Sequence, residues 1–108
     1  MANEIVIAQT TIDDEDQAKA LAKGAVEKRL AACAHIDQPI TAVYRWKDAI
    51  ETDQEWRISY KTTTDRLPAL AAWVNQEHSY DVPEWITLPV SGGSEAYLSW
   101  VVEETAAP

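Results

Sequence analysis

Basic residues are scarce in this 108-residue chain: nine lysines and arginines stand against eighteen acidic residues, a formal charge of -9. Such a balance repels phosphate backbones and anionic lipid headgroups and offers no counterion-release driving force, so neither nucleic acid nor a membrane surface is an expected partner. Cysteine occurs once, as Cys33, which excludes an internal disulfide and agrees with a reducing compartment. Glycine occurs three times, at Gly24, Gly92 and Gly93, and no phosphate-cradling loop, Gly-x-Ser-x-Gly elbow or HExxH is present. No apolar run approaches the ~20 residues of a membrane helix. The opening MANEIVIAQT lacks the basic start, apolar stretch and cleavage site of a secretory leader, so a cytoplasmic location is expected.

What is present points to one folded domain over residues 1–108, since 46% of the residues are hydrophobic and no repeat or linker interrupts them. EIVIAQTT is β-branched and apolar on both alternating faces, as in a strand covered from two sides. From Asp13 the period becomes helical, with Ala18, Leu21, Ala22, Ala25, Val26 and Leu30 in register, acids at the start and Lys28 and Arg29 at the end. Ile40, Ala42, Tyr44 and Trp46 then alternate with Thr41, Val43, Arg45 and Lys47 in a long strand bent or bulged near Pro39.

A turn near KDA leads into IETDQEWRISYKT, which completes an antiparallel hairpin. Thr64 is positioned to cap a second helix carrying Leu67, Leu70, Ala71 and Val74, with Pro68 in its first turn. Pro83 favours extended backbone, EWITLPV reads as the last strand, Ser94 caps a short terminal helix, and TAAP reads as a frayed tail. The order βαββαβ plus a helix specifies a ferredoxin-like α+β sandwich with both crossover helices on one face. The other face would hold hairpin rings from the set Tyr44, Trp46, Trp56 and Tyr60, with Val43 and Ile58. Rings of ~150–250 Å² each left in water make a patch that self-association in closed symmetry would cover.

The segments VEKRLAACAHI, YRWKDAIETDQE, YKTT, HSYDVPEW and YLSWV, in this order, resemble the CutA divalent-cation tolerance family, and the resemblance extends over nearly the whole chain. It implies a tight homotrimer built like the PII signalling proteins, with long strands extending neighbouring sheets, ligand clefts between subunits, and an association with copper and other divalent metals. Departures thin a soft copper set: Gln9 stands where some members carry cysteine, and Glu77, His78, Ser79 and Tyr80 where some read His-His-Pro-Tyr. The KDA turn also lacks the glycine often found there.

Within HSYDVPEW, Glu77 and His78 are the candidate metal pair, set against a plainer role for His78 in ending the helix, while Tyr80 packs and Pro83 sets the strand's entry. Cys33 and His35 share one side of an extended segment and could begin a zinc or copper site, or remain a buried inert thiol beside a histidine. Tyr44, Arg45, Trp46 and Lys61, with Cys33, Tyr80, Pro83 and Glu84, outline a candidate subunit cleft that could take a small anion; alternatively Arg45 and Lys61 pair with Glu51, Glu55 or Glu84. The expected function is non-enzymatic: a homotrimer in divalent-cation tolerance or a PII-like sensor, binding a metal or small ligand and no organic cofactor. The alternative is a trimeric scaffold without a specific metal site. An enzyme would need Cys33 paired with His35 or His78.

Overall fold

Alternating apolar residues form strands and helical-period residues form helices, giving the order β1 (Ile5–Ile12), α1 (Glu15–Glu27), β2 (Cys33–Ile36), β3 (Ile40–Trp46), β4 (Ala49–Thr63), α2 (Leu67–Glu77), β5 (Ile86–Pro89) and α3 (Glu95–Glu104). The computed structural model describes residues 4–106. All pairings are antiparallel, in the order β2-β4-β1-β5, with β3 also on β4. This is the expected ferredoxin-like α+β sandwich with an added terminal helix.

Even-numbered residues of β1 and β4 form the covered face: Ala8, Ile12, Ile58 and Tyr60 join Ala18, Leu21, Ala22 and Ala25 of α1 and Leu70 and Val74 of α2 in one core. Ile58 and Tyr60 are therefore fully buried, which corrects their assignment to the uncovered face. Gly24 lets the two helices meet, because a Cβ there would come within 2.7 Å of the Trp73 indole. The odd-numbered face is not wholly open, since Val101 of α3 is buried with Ile5 and Ala32 at one end of it. Ile86 and Leu88 remain exposed on its edge strand.

Three local expectations are corrected. Thr64 does not cap α2; its Oγ1 accepts the Glu4 backbone N–H at 3.2 Å, and the N-cap is Arg66, with no side-chain bond. The turn at 64–66 places Pro68 early in the helix, where a missing donor costs nothing. Thr105 is buried and its Oγ1 donates to the Val101 carbonyl at 2.8 Å, so it ends α3 instead of fraying; Ala107 and Pro108 of the expected tail lie outside the described residues. Lys28 and Arg29 follow α1 and lie outside its last turn. Leu30 N–H reaches the Ala25 carbonyl and Arg29 N–H the Val26 carbonyl, while Arg29 holds φ of 59° where glycine is usual. The Arg29 guanidinium then donates to the Glu104 carbonyl at 3.2 Å, capping α3.

Ser94 caps α3 as expected, accepting Tyr97 N–H at 3.2 Å, and among the acids at the start of α1 it is Asp14 that caps the helix, accepting Gln17 N–H at 2.9 Å. At the β3–β4 turn, Lys47 and Asp48 both have positive φ, 50° and 65°, the signs a two-residue primed turn requires. Asp48→Gly removes a side-chain clash worth ~1–2 kcal/mol, offset by the extra unfolded-state freedom of glycine. The expected net result is a stabilisation of about 0.5 kcal/mol, read as a small rise in the urea midpoint without a change in slope.

Candidate functional site

A one-residue irregularity positions the site. Ile36 pairs with Ile58, but Ile40 pairs with Glu55, so Asp37, Gln38 and Pro39 stand opposite only Trp56 and Arg57. The extra residue is a β-bulge, and it changes the phase of β3: Ile40, Ala42, Tyr44 and Trp46 now run with Glu55, Asp53 and Glu51 instead of with Tyr60. The hairpin's rings thus leave the core side. Tyr44 and Trp46 stay about two-fifths exposed, at 39% and 40%, and Val43 reaches 65%.

Facing this hairpin, the segment after α2 is locked by His78. Its Nε2–H donates to the Thr11 carbonyl at 2.8 Å, and its Nδ1 accepts the Tyr80 N–H at 3.1 Å, while its ring stacks obliquely on Tyr80, 4.8 Å between centroids. The two bonds together require the neutral Nε2–H tautomer, since a protonated Nδ1 could not accept. Tyr80 is thereby aimed at β4, where its hydroxyl donates to Glu55 Oε2 at 2.7 Å. Glu55 is only 6% exposed and has no basic partner within 4 Å among the described residues.

Between hairpin and segment lies a cavity of about 530 Å³. Tyr44, Trp46, Glu55, Tyr80 and Glu84 line it, together with Thr11, Asp13, Arg57, Asp81 and residues 40–43 and 82. Its one basic group, Arg57, is already 3.3 Å from Asp37. Four acids against one engaged arginine make the cavity negative, so the expected anion cleft is corrected in sign. Lys61 belongs to another place altogether: Tyr44 pairs with Glu51, whereas Lys61 pairs with Cys33 and Ile7, about 33 Å further along β4. Arg45 is exposed, and neither it nor Lys61 pairs with Glu51, Glu55 or Glu84. Pro83 sits between the lining residues Val82 and Glu84 without lining the cavity itself.

The phenols report this environment. The hydrogen bond to Asp53 raises Tyr44 to about 12, with Glu55 and Glu51 adding to the effect. Burial and the Glu55 bond push Tyr80 well up, burial alone raises Tyr60, and burial with the neighbouring Cys33 raises Tyr97. Phenolate absorbance of the native protein is therefore expected to appear later than the ordinary value near 10 seen in urea. Asp53→Asn should bring one tyrosine back toward that value. Because the folded value is the higher, the Tyr44–Asp53 contribution is complete below pH ~10 and is lost as pH rises through about 12. A native titration superimposing on the urea curve would contradict these contacts.

Lys61 instead joins Cys33 and His35 on the odd-numbered face of the sheet. Lys61 Nζ lies 3.2 Å from His35 Nδ1, and Cys33 Sγ lies 3.6 Å from His35 Nε2. The resemblance to a copper-associated family calls for a test of the ligands present. Both nitrogens of His78 are committed, Glu77 projects from the last turn of α2 into solvent, and Cys33–His35 supplies two ligands beside an ammonium. Among the described residues no three His, Cys, Asp or Glu side chains converge on a common point. The expected pair Glu77–His78 is thus not assembled, because the imidazole is turned inward to Thr11 while the carboxylate stays outside. A single chain does not fit a resident copper centre.

Glu55, Asp13, Arg57 and Thr11 were absent from the sequence-based site. The only signal for Glu55 is its alternation with Arg57 and Ser59 on the face away from the core, and alternation does not reveal burial.

Comparison with known proteins agrees with the fold and motif order. The family described as CutA1 divalent ion tolerance protein matches residues 6–104. A divalent-cation tolerance protein CutA of Thermus thermophilus is 42% identical over 88% of this chain and 92% of its own. The chloroplastic protein CutA of Arabidopsis thaliana is 38% identical over 93% of this chain, which spans only 55% of that protein. A crystal structure of CutA1 from Shewanella sp. SIB1 superposes with a TM-score of 0.93 at 34% identity, covering 99% of this chain and 100% of that one. No helix among the described residues is long and apolar enough to cross a membrane. The chain belongs to the CutA1 divalent ion tolerance family.

Proposed function

We propose that the chain acts in the cytoplasm as a non-enzymatic homotrimer in divalent-cation tolerance, a PII-like sensor that takes a small ligand in the hairpin cavity completed by a neighbouring subunit. The carrying observation is the cavity itself: a buried carboxylate and three aromatic rings surround it, and its rim carries the exposed Val43 and Val82. Ile50, Ile86 and Leu88 are exposed as well, and large apolar side chains left in water along the sheet support self-association. Copper and other divalent ions enter as the stimulus of the response and not as a resident centre of one chain. Among the described residues the cavity is lined by no cysteine, serine or histidine, which supports a binding role over catalysis.

Light scattering is expected to give three times the 12.0 kDa chain mass at micromolar concentration. A monomer would remove the shared cleft. Titration with Cu(II) and Zn(II) should give the same curve for the parent and His78→Ala, and Cys33→Ala should abolish whatever soft-metal binding the parent has. Tight stoichiometric binding lost in His78→Ala would overturn the structural role given to that imidazole.

A further inference from the structure

We infer that the hairpin cavity selects a small alkylated ammonium ion, the positive head held by Glu55 and its apolar substituents packed against Tyr44, Trp46 and Tyr80. This names the ligand class of the cavity and so rests on the reading above. Three observations converge on it.

First, Glu55 is a nine-tenths buried carboxylate whose only hydrogen-bond partner among the described residues is the neutral Tyr80 hydroxyl, on Oε2. No hydrogen bond among the described residues reaches Oε1, yet Glu55 lines the cavity. A buried negative charge without a cationic partner is costly, and a bound cation offsets that cost. The raised phenol of Tyr80, caused by burial and by the charges of Glu55 and Asp13, reports the same negative field.

Second, the walls are aromatic. Cations are attracted to the faces of such rings, and ammonium groups bearing alkyl substituents gain most because they lose little hydration on entering. Trp46 already draws a cation in this way, since Lys47 Nζ lies 5.8 Å from its ring centre.

Third, the carboxylates do not converge. Asp13, Asp81 and Glu84 border the cavity, but among the described residues no three acids come together, which disfavours a hard metal needing six or more oxygen ligands. Dispersed acids around 530 Å³ suit an organic cation with volume of its own.

Choline serves as the probe, with its uncharged carbon isostere 3,3-dimethylbutan-1-ol as comparator and magnesium chloride as the ionic control. Binding is read by tryptophan fluorescence and calorimetry, with light scattering on the same samples. Choline should bind saturably, and the isostere about tenfold more weakly or less. Glu55→Gln retains an acceptor for Tyr80 and should also lose about tenfold. Trp46→Leu, at a partly exposed position that does not support the core, should weaken binding as well. Asp16→Asn, which removes an exposed acid of α1 outside the cavity, should bind as the parent does. Equal binding of the isostere, parent-like binding by both Glu55→Gln and Trp46→Leu, displacement by stoichiometric magnesium, or no saturable response up to about 10 mM choline overturns the inference. A trimer that ignores choline removes this inference alone, while a monomer that binds choline through Glu55 removes the trimer alone.

Discussion

Tyr60→Ala should destabilise the protein by about 3–5 kcal/mol, the range for removing a large ring from a packed core. Tyr60 is fully buried at the junction of β4 and α1, its ring 6.3 Å from that of Trp85, and its hydroxyl donates to the Leu21 carbonyl at 3.0 Å. It therefore ties the central sheet to the first helix by both apolar contact and a hydrogen bond. The Leu21 carbonyl belongs to a helix and keeps its backbone partner, so Tyr60→Phe should lose only about 1 kcal/mol. Urea unfolding at fixed protein concentration measures both, since any self-association makes stability concentration-dependent. A loss below about 1 kcal/mol for the alanine variant would place the centre of the core elsewhere.

The second large effect concerns His78. His78→Ala leaves the Thr11 carbonyl and the Tyr80 N–H without their partners in a site only 8% exposed. Each unpaired buried group costs about 1–3 kcal/mol, so a total of ~2–4 kcal/mol is expected after partial relaxation. With the imidazole gone, Tyr80 should lose its fixed aim at Glu55, and the cavity its shape. The contrast with a metal ligand is direct: chelator added to the parent protein should leave the unfolding curve where it is. A chelator-induced loss comparable to that of the alanine variant would show that the ring holds an ion and not a carbonyl.

Much of the architecture was legible because local periodicity and global fold agree. The helical period from Ala18 to Ala25, the acids at its start and the Ser94 cap reappear as expected, while Leu30 lies beyond the end of α1. The alternation of β4 likewise gave a strand with Trp56, Ile58 and Tyr60 on one side. What alternation could not show is which face of β3 matches which face of β4, since that depends on pairing across the gap at Pro39. Placing Tyr44 and Tyr60 on one exposed surface followed from assuming continuous phase.

The candidate site was legible in pieces. Tyr44, Trp46, Tyr80 and Glu84 do line one cavity, but Lys61 and Cys33 belong to another cluster. Nearness in a motif list does not measure distance along a 15-residue strand. His78 was singled out for its chemistry, whereas its position is governed by a carbonyl 67 residues earlier, a contact no local pattern encodes. Glu55 was hidden for the same reason: its burial comes from Tyr80, brought over it by that imidazole.

Deleting Gln38 would leave two residues facing two between Ile36 and Ile40, restoring ordinary parity along the hairpin. Tyr44 would still lie opposite Glu51, because the Lys47–Asp48 turn sets that register, so the rings would keep their side while the kink leading into Ile40 straightened. A single codon therefore governs how far the aromatic wall leans over the hollow while leaving its lining the same.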